Sequence, residues 1–201
     1  MDFRRTYRAA AVSFADLAMR LPADLDRPAL GTWTLGRLLG HAAGSGLRQV
    51  PEVLATPAEK PVVDSPEAYW AAARTAPAEL IAAARAESDA DAERSLAALR
   101  TSSVSELVGL ATAALAAVSD DDVVTTAIGG MRVSDWIPTR TLELVVHGLD
   151  LAAAAEVPFE PPLEETAVLL TRVAVAVGDG SVLVRALTGR GALPEGFSVV
   201  A

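Results

Sequence analysis

Residues 140–151 read Arg-Thr-Leu-Glu-Leu-Val-Val-His-Gly-Leu-Asp-Leu, and this stretch decides how the rest of the chain is interpreted. Its four ionisable residues are separated by three, four and three positions, which confines them to about 80° of an α-helix. Leucine and valine occupy most of the remaining circumference, so we expect this helix to be largely buried. The four residues are Arg140, Glu143, His147 and Asp150.

A metal site is the first interpretation of this polar face, because buried charges must be paired or bound to a metal. Glu143 and His147 lie one helical turn apart, and that spacing lets both side chains reach one ion. The alternative is an ordinary helix-stabilising pair, worth a few tenths of a kcal/mol.

The other histidine of the chain, His41, is available as a third ligand. On a helix that starts near Thr34, it shares an arc of about 40° with Arg37 and Arg48, beside the apolar face. Two nitrogens and one carboxylate would leave coordination positions open, as in a catalytic site, and zinc, nickel or iron would fit. The alternative for His41 is a core histidine with its hydrogen bonds satisfied.

Three further residues are candidates for catalysis. Asp150 is a fourth ligand or, in our preferred interpretation, accepts the outer ring N–H of a ligating histidine. Arg140 pairs with Glu143 or Asp150, or binds an anionic substrate, and Arg48 is a candidate carboxylate clamp. The alternative is a buried ion-pair network for Asp150 and Arg140, and a solvated helix edge for Arg48.

Composition excludes several classes of protein. The 201 residues include 17 basic and 26 acidic side chains, a net charge of −9, and only 4% aromatics, which argues against nucleic-acid binding. Cysteine is absent, so any thiol chemistry must use an external thiol. The longest apolar run, residues 107–118, is too short for a membrane span, and we expect a cytoplasmic protein. Lys60 is the only lysine, a bias towards arginine typical of actinobacterial coding sequence.

The periodicity predicts an all-α protein, most simply a helical bundle of residues 1–178 with a short helical extension of the same domain, residues 179–201. The charge-dense stretch of residues 87–100 is expected to be solvated. The predicted helices cover residues 3–21, Thr34 to Pro51 or Pro57, 65–100, Ser103 or Ser105 to Val118, Ser134 to Ala155, 163–177 and 181–187, with residues 123–128 a short strand or linker.

Two segments resemble a known family. Trp33-Thr34-Leu35 and Leu38-Leu39-Gly40-His41, followed by Trp136 and residues 140–151, are similar to the mycothiol-dependent maleylpyruvate isomerases, which belong to the DinB-like metal-dependent bundles. Residues 187–190, Leu-Thr-Gly-Arg, are similar to the C-terminal region of the family. The resemblance implies a DinB-like four-helix bundle, with metal ligands that fall on His41, Glu143 and His147, the residues that the spacing also selects.

We therefore expect a divalent-metal enzyme that uses a low-molecular-weight thiol, mycothiol, with zinc as the first choice of metal and a small molecule as substrate. The metal would lower the pKa of the thiol, and the thiolate would add to a double bond, as in a cis–trans isomerase or a thiol S-transferase. The alternatives are a metal-dependent hydrolase that needs no thiol, or a non-catalytic binding bundle, with a homodimer through the alanine-rich helix faces.

Overall fold

The computed structural model describes residues 2–199 and is mostly helical, which confirms the all-α class. A π-helical segment, Gly44–Arg48, joins the second helix to the third. None of the helices between residues 2 and 199 has the length and apolar run that a membrane crossing requires. The helices are α1 (Phe3–Ala18), α2 (Leu35–Ala43), α3 (Gln49–Leu54), α4 (Pro66–Thr75), α5 (Ala78–Ala98), α6 (Val104–Ala116), α7 (Val133–Ala155), α8 (Leu163–Ala176) and α9 (Gly180–Leu187).

Two predicted helix starts are confirmed by their caps. Ser65 accepts the backbone N–H of Ala68 at 3.0 Å, with Pro66 in the first turn of α4. Ser103 and Glu106 form a reciprocal capping box at the start of α6, which selects Ser103 over the alternative start.

Several details of the predicted helices are wrong, and α1 ends at Ala18 rather than at residue 21. The second predicted helix changes to π geometry after Ala43. The third divides into α4 and α5, because Pro77 favours an extended backbone at the preceding residue, and Ala76 has ψ 150°. Ser134 does not cap α7, which already begins at Val133 with Arg132 in the cap position.

Two short antiparallel strand pairs accompany the helices. The first joins β1 (Pro28–Leu30) to β2 (Trp33–Thr34), just before α2. The second joins β3 (Val123–Thr126) to β4 (Gly129–Arg132), so the predicted strand at residues 123–128 is present as half of a hairpin. Because β4 runs directly into α7, this hairpin fixes where the long central helix begins.

The main core lies between four helical units. Helix α7 packs against α1 and α2, α1 also packs against α6, and α6 packs against α3. The largest fully buried side chains of this core are Tyr7, Phe14, Leu17, Leu35, Leu38, Leu47, Met131, Ile137, Leu144 and Leu151. This packing places the polar face of α7 opposite α2.

Helix α5 packs closely against α2, which corrects the expectation that residues 87–100 are solvated. A Cβ on Gly40 would lie 2.2 Å from the carbonyl oxygen of Ala92, so only glycine allows the two helices to approach this closely. Asp91 and Ser95 are buried on the same face of α5. The charge density misled the prediction because one face of the helix buries its polar groups against hydrogen-bonding partners.

A smaller apolar cluster joins the C-terminal region to the rest. Leu142 of α7 packs with Leu169 and Val173 of α8, with Trp70 of α4 and with Val199 of the tail in this cluster. The division of the chain after residue 178 stays a prediction.

Candidate metal centre

The two histidines and Glu143 meet where α2 packs against α7. The Nε2 atoms of His41 and His147 each lie 3.4 Å from Oε2 of Glu143. The two imidazole rings are nearly perpendicular, with centroids 4.8 Å apart. One potential ligand atom from each of the three residues lies within 4.8 Å of the others, so the structure brings together all three predicted metal ligands.

The cluster is shielded from solvent without being sealed. The side chains of Glu143, His41 and His147 are 12%, 15% and 21% exposed. All three side chains therefore keep some contact with solvent.

The outer ring nitrogens are bonded away from the cluster. Nδ1–H of His147 donates to Oδ2 of Asp150 at 3.1 Å, and Oγ of Ser88 lies 3.0 Å from Nδ1 of His41. Both imidazoles therefore present Nε2 inwards, which is the arrangement that outer hydrogen bonds impose on ligating histidines. Asp150 lies where the sequence placed it, whereas Ser88 comes from α5 and carried no sequence signal.

Electrostatics inside the cluster favour an ion pair when no metal is bound. Burial alone would raise the pKa of Glu143, but hydrogen bonds with His147 and His41 and the charge of Arg140 hold it well below its usual range. Burial would lower the pKa of His147, but its bonds to Asp150 and Glu143 and their negative charges raise it to about 9. A metal ion must therefore displace a proton from His147 at neutral pH.

Arg140 is buried beside the cluster, with 4% exposure. Its Nη1 donates to the backbone oxygen of Ser45 and its Nη2 to the hydroxyl of Tyr69, both at 3.3 Å. Its guanidinium also lies 5.5 Å and 5.4 Å from the ring centroids of Tyr69 and Trp136. The guanidinium is thus held by backbone, hydroxyl and aromatic groups.

Of the two alternatives for Arg140, pairing with Glu143 or Asp150 is not seen in the part of the chain that the structure describes, and binding of an anionic substrate stays a prediction. No Asp or Glu oxygen between residues 2 and 199 comes within 4.0 Å of Arg140 in an ion pair. Its charge still acts on Glu143 through space. The cation next to the cluster therefore has no direct carboxylate partner among these residues.

Arg48, the predicted carboxylate clamp, does not reach the cluster. It forms ion pairs with Asp91 and Glu52, and its Nε donates to Oγ of Ser95 at 3.0 Å. Arg37, His41 and Arg48 all contact α5, as their shared helix face predicts, but Arg48 meets Asp91 and Ser95 there.

Besides Ser88, two residues to which the sequence assigned no role in the site also contact the cluster. Oγ of Ser45 lies 3.2 Å from Oε2 of Glu143. The ring of Trp33 lies 4.9 Å from that of His41, and its Nε1–H donates to Asp89 at 3.0 Å. Ser45 follows His41 by four positions, and this spacing is the sequence signal that could have identified it.

Together, the fold and the cluster define an all-α protein with a His/Glu/His group suited to a metal ion. Residues 7–152 match the family model of the mycothiol maleylpyruvate isomerase N-terminal domain, and the chain belongs to that family. The match includes all three cluster residues and confirms the resemblance seen in the sequence. No curated protein and no solved structure matches the chain.

Proposed function

We propose that this chain is a divalent-metal enzyme that uses a low-molecular-weight thiol, mycothiol, for thiol addition to a small-molecule electrophile. The observation that carries the proposal is the convergence of two Nε2 atoms and one carboxylate oxygen whose outer hydrogen-bond partners are already in place. Membership of a family described by mycothiol and maleylpyruvate isomerase supports the choice of thiol.

The donor set fits a divalent transition metal. Two imidazole nitrogens and one carboxylate oxygen suit zinc, our first choice, and also nickel or iron. His41, Glu143 and His147 would hold the ion and leave a position for an external ligand. When bound, the ion would supply a Lewis acid that lowers the pKa of a coordinated thiol. The absence of cysteine from the chain is in keeping with an external thiol.

The surrounding residues have separate tasks in this proposal. Ser88 and Asp150 orient the two imidazoles, and the carboxylate of Asp150 makes Nε2 of His147 a stronger electron-pair donor to the metal. Arg140 adds a fixed positive charge near the cluster, which favours an anionic group such as a thiolate or a substrate carboxylate. Arg48 is paired with Asp91 and Glu52, so a direct role for it would require those pairs to open.

The thiol addition would serve one of two reactions. In an isomerase, the sulfur adds to a double bond conjugated to a carbonyl, the former double bond rotates, and elimination returns the thiol. In an S-transferase, the adduct takes up a proton and leaves. Isomerase or transferase chemistry is distinguished by whether free thiol is regenerated in each turnover.

The proposal extends to architecture and setting. We assign α1, the α2–α3 unit, α6 and α7 as the four members of a DinB-like bundle. The predicted helical extension of the same domain, residues 179–201, is described as far as residue 199, and its last two residues lie outside the described part of the chain. The setting is the cytoplasm of an actinobacterium, with a small molecule and a thiol as partners and no nucleic acid or membrane. A homodimer through the alanine-rich faces is part of the same proposal.

Metal content tests the proposal directly. Elemental analysis of untagged wild type, His41→Ala and Glu143→Ala should give near-stoichiometric metal in wild type and little in either variant. Arg94→Ala, which removes ion pairs with Glu87 and Asp91 outside the cluster, is the matched control and should keep its metal. A wild type that holds no metal even after reconstitution would remove the basis for the enzyme.

Thiol dependence is measured next on the metal-loaded protein. In the Co²⁺-loaded wild type, binding of mycothiol should change the Co²⁺ absorption spectrum, because sulfur ligation alters the ligand field. Activity on ester or amide substrates without added thiol would instead favour the metal-dependent hydrolase.

A further inference from the structure

The π-helical segment Gly44–Arg48 lies directly after the turn that carries His41. Its flanking residues, Ala43 and Gln49, keep right-handed helical geometry, so the segment is a widened turn within a continuous helical path. Such π turns are rare, and they occur frequently at functional sites. This one lies against the polar face of α7.

Two consecutive carbonyls of this segment accept hydrogen bonds from buried side chains. The hydroxyl of Tyr7 donates to the backbone oxygen of Gly46 at 2.8 Å, and Arg140 donates to that of Ser45 at 3.3 Å. In a regular α-helix these oxygens already accept N–H groups four residues later. A carbonyl oxygen has two lone pairs and can accept a second donor, so Tyr7 of α1 and Arg140 of α7 tie the segment to both helices.

The backbone around Ser45 is also fixed by close packing. A Cβ on Gly46 would lie 2.5 Å from Cδ2 of Leu144, and one on Gly44 would lie 2.5 Å from Oγ of Ser95. The segment is therefore clamped between α7 and α5. This clamp determines where the side chain of Ser45 lies.

The hydroxyl of Ser45 lies between two acceptors. Its Oγ is 2.9 Å from the backbone oxygen of His41 and 3.2 Å from Oε2 of Glu143. A hydroxyl has one proton to donate. Serine in a helix commonly donates to the carbonyl four residues earlier, but a charged carboxylate is the stronger acceptor.

The hydroxyl of Ser45 is one of three possible hydrogen-bond donors to the carboxylate of Glu143. Without a metal, Oε2 of Glu143 has three neighbours: Ser45 and the Nε2 atoms of both histidines. Histidine nitrogens that direct their lone pairs at a metal cannot also donate protons to Glu143. Ser45 would then be the remaining side-chain donor to this carboxylate in the part of the chain that the structure describes.

We propose that Ser45 is a positioning residue for the metal centre. Its hydroxyl donates a hydrogen bond to Glu143 and holds that carboxylate in its ligating orientation. The π segment, fixed by Tyr7 and Arg140, delivers the hydroxyl to this point. The inference rests on the proposed function, because it requires Glu143 to bind a metal.

Co²⁺ affinity and visible absorption of the full chain test this inference. Ser45→Ala should bind Co²⁺ about 10- to 100-fold more weakly than wild type in chelator competition, which is the usual effect of removing a hydrogen bond to a ligand. Its d–d absorption bands should also change shape at saturating Co²⁺, because the carboxylate changes its orientation. Ser45→Thr keeps the hydroxyl and should restore both affinity and spectrum.

Ser95→Ala is the matched control, since Ser95 is a buried serine that bonds Arg48 outside the cluster. It should keep wild-type Co²⁺ affinity, and the metal-free forms of both alanine variants should unfold at similar temperatures. Wild-type affinity and spectrum in Ser45→Ala would overturn the positioning role and leave the metal centre standing. A wild type that binds no Co²⁺ would overturn the proposed function and this inference together.

Discussion

Two polar clusters flank the helical path from α2 to α3, and they differ in how their charges are satisfied. On the α5 side, Asp91 forms ion pairs with Arg48 and Arg94. On the α7 side, Glu143 faces two histidine nitrogens. The first cluster is complete with its own charges, whereas the second directs three potential ligand atoms towards one point. Convergence of potential ligands, rather than the number of buried ionisable groups, is what indicates a metal centre.

The largest effect that separates the clusters is loss of metal binding. Glu143→Gln keeps the shape of the side chain but removes the negative charge that a divalent ion requires, so we expect metal affinity to fall by on the order of 100-fold or more. Chelator competition with Zn²⁺ measures the change. Asp91→Asn, the matching change in the other cluster, should bind Zn²⁺ like wild type, and an equal loss in both variants would contradict the distinction.

Folding stability of the metal-free protein tests the cluster on the α5 side. Asp91→Asn leaves Arg48 without its buried anionic partner, and removal of one member of such a pair destabilises a protein by about 3 kcal/mol. Urea unfolding of the metal-free proteins measures the free energy. A stability equal to that of wild type would mean that Glu52 and Ser95 alone satisfy Arg48.

Much of the metal centre could be predicted from sequence, because its strongest signal is local. Glu143, His147 and Asp150 lie on one face of one uninterrupted helix, so helical periodicity identified them. His41 could be added because it is the only other histidine and lies on an apolar helix. The fold class followed from the same periodicity.

The rest depended on contacts that a single sequence does not encode in an obvious way. Ser88 reaches His41 from another helix, and a serine in an alanine-rich helix has no distinguishing pattern. Arg48 contacts α5 on the predicted face, but a single sequence does not show that Asp91 and Ser95 of that helix bind it. The β1–β2 pair was missed because strands of two or three residues carry too little periodicity to detect.

The pH dependence of stability sharpens the contrast further. The pKa of His147 is raised to about 9 from its ordinary value of 6.5. Protonation of His147 therefore stabilises the metal-free fold. This contribution is fully present below pH 6.5 and is lost as the pH rises through 9. We expect a decrease of about 3 kcal/mol between pH 6 and pH 10. Glu143, with its lowered pKa, has the opposite sign and loses its contribution only at strongly acidic pH.

Urea unfolding in the presence of a chelator measures this decrease, and His147→Gln is the control. The decrease should be smaller in the variant, because the protonated imidazole is absent. Metal affinity should change in the other direction and rise with pH up to about 9, since the ion competes with the proton on His147. A variant with the full wild-type decrease would assign it to other groups.

The smallest predicted difference lies within the metal centre, between the outer partners of the two histidines. Asp150 offers His147 a carboxylate, whereas Ser88 offers His41 a neutral hydroxyl. Hydrogen bonds to charged groups are about twice as strong as neutral ones, so Asp150→Asn should weaken Zn²⁺ binding about 10-fold and Ser88→Ala by only a few-fold. Asp150→Asn should also shift the alkaline loss of stability to lower pH, because the carboxylate helps to raise the pKa of His147. Equal losses of Zn²⁺ affinity in the two variants, with no shift in the pH at which stability is lost, would contradict this difference. Both partners would then act only by orienting a ring, and the charge of Asp150 would contribute nothing to metal affinity.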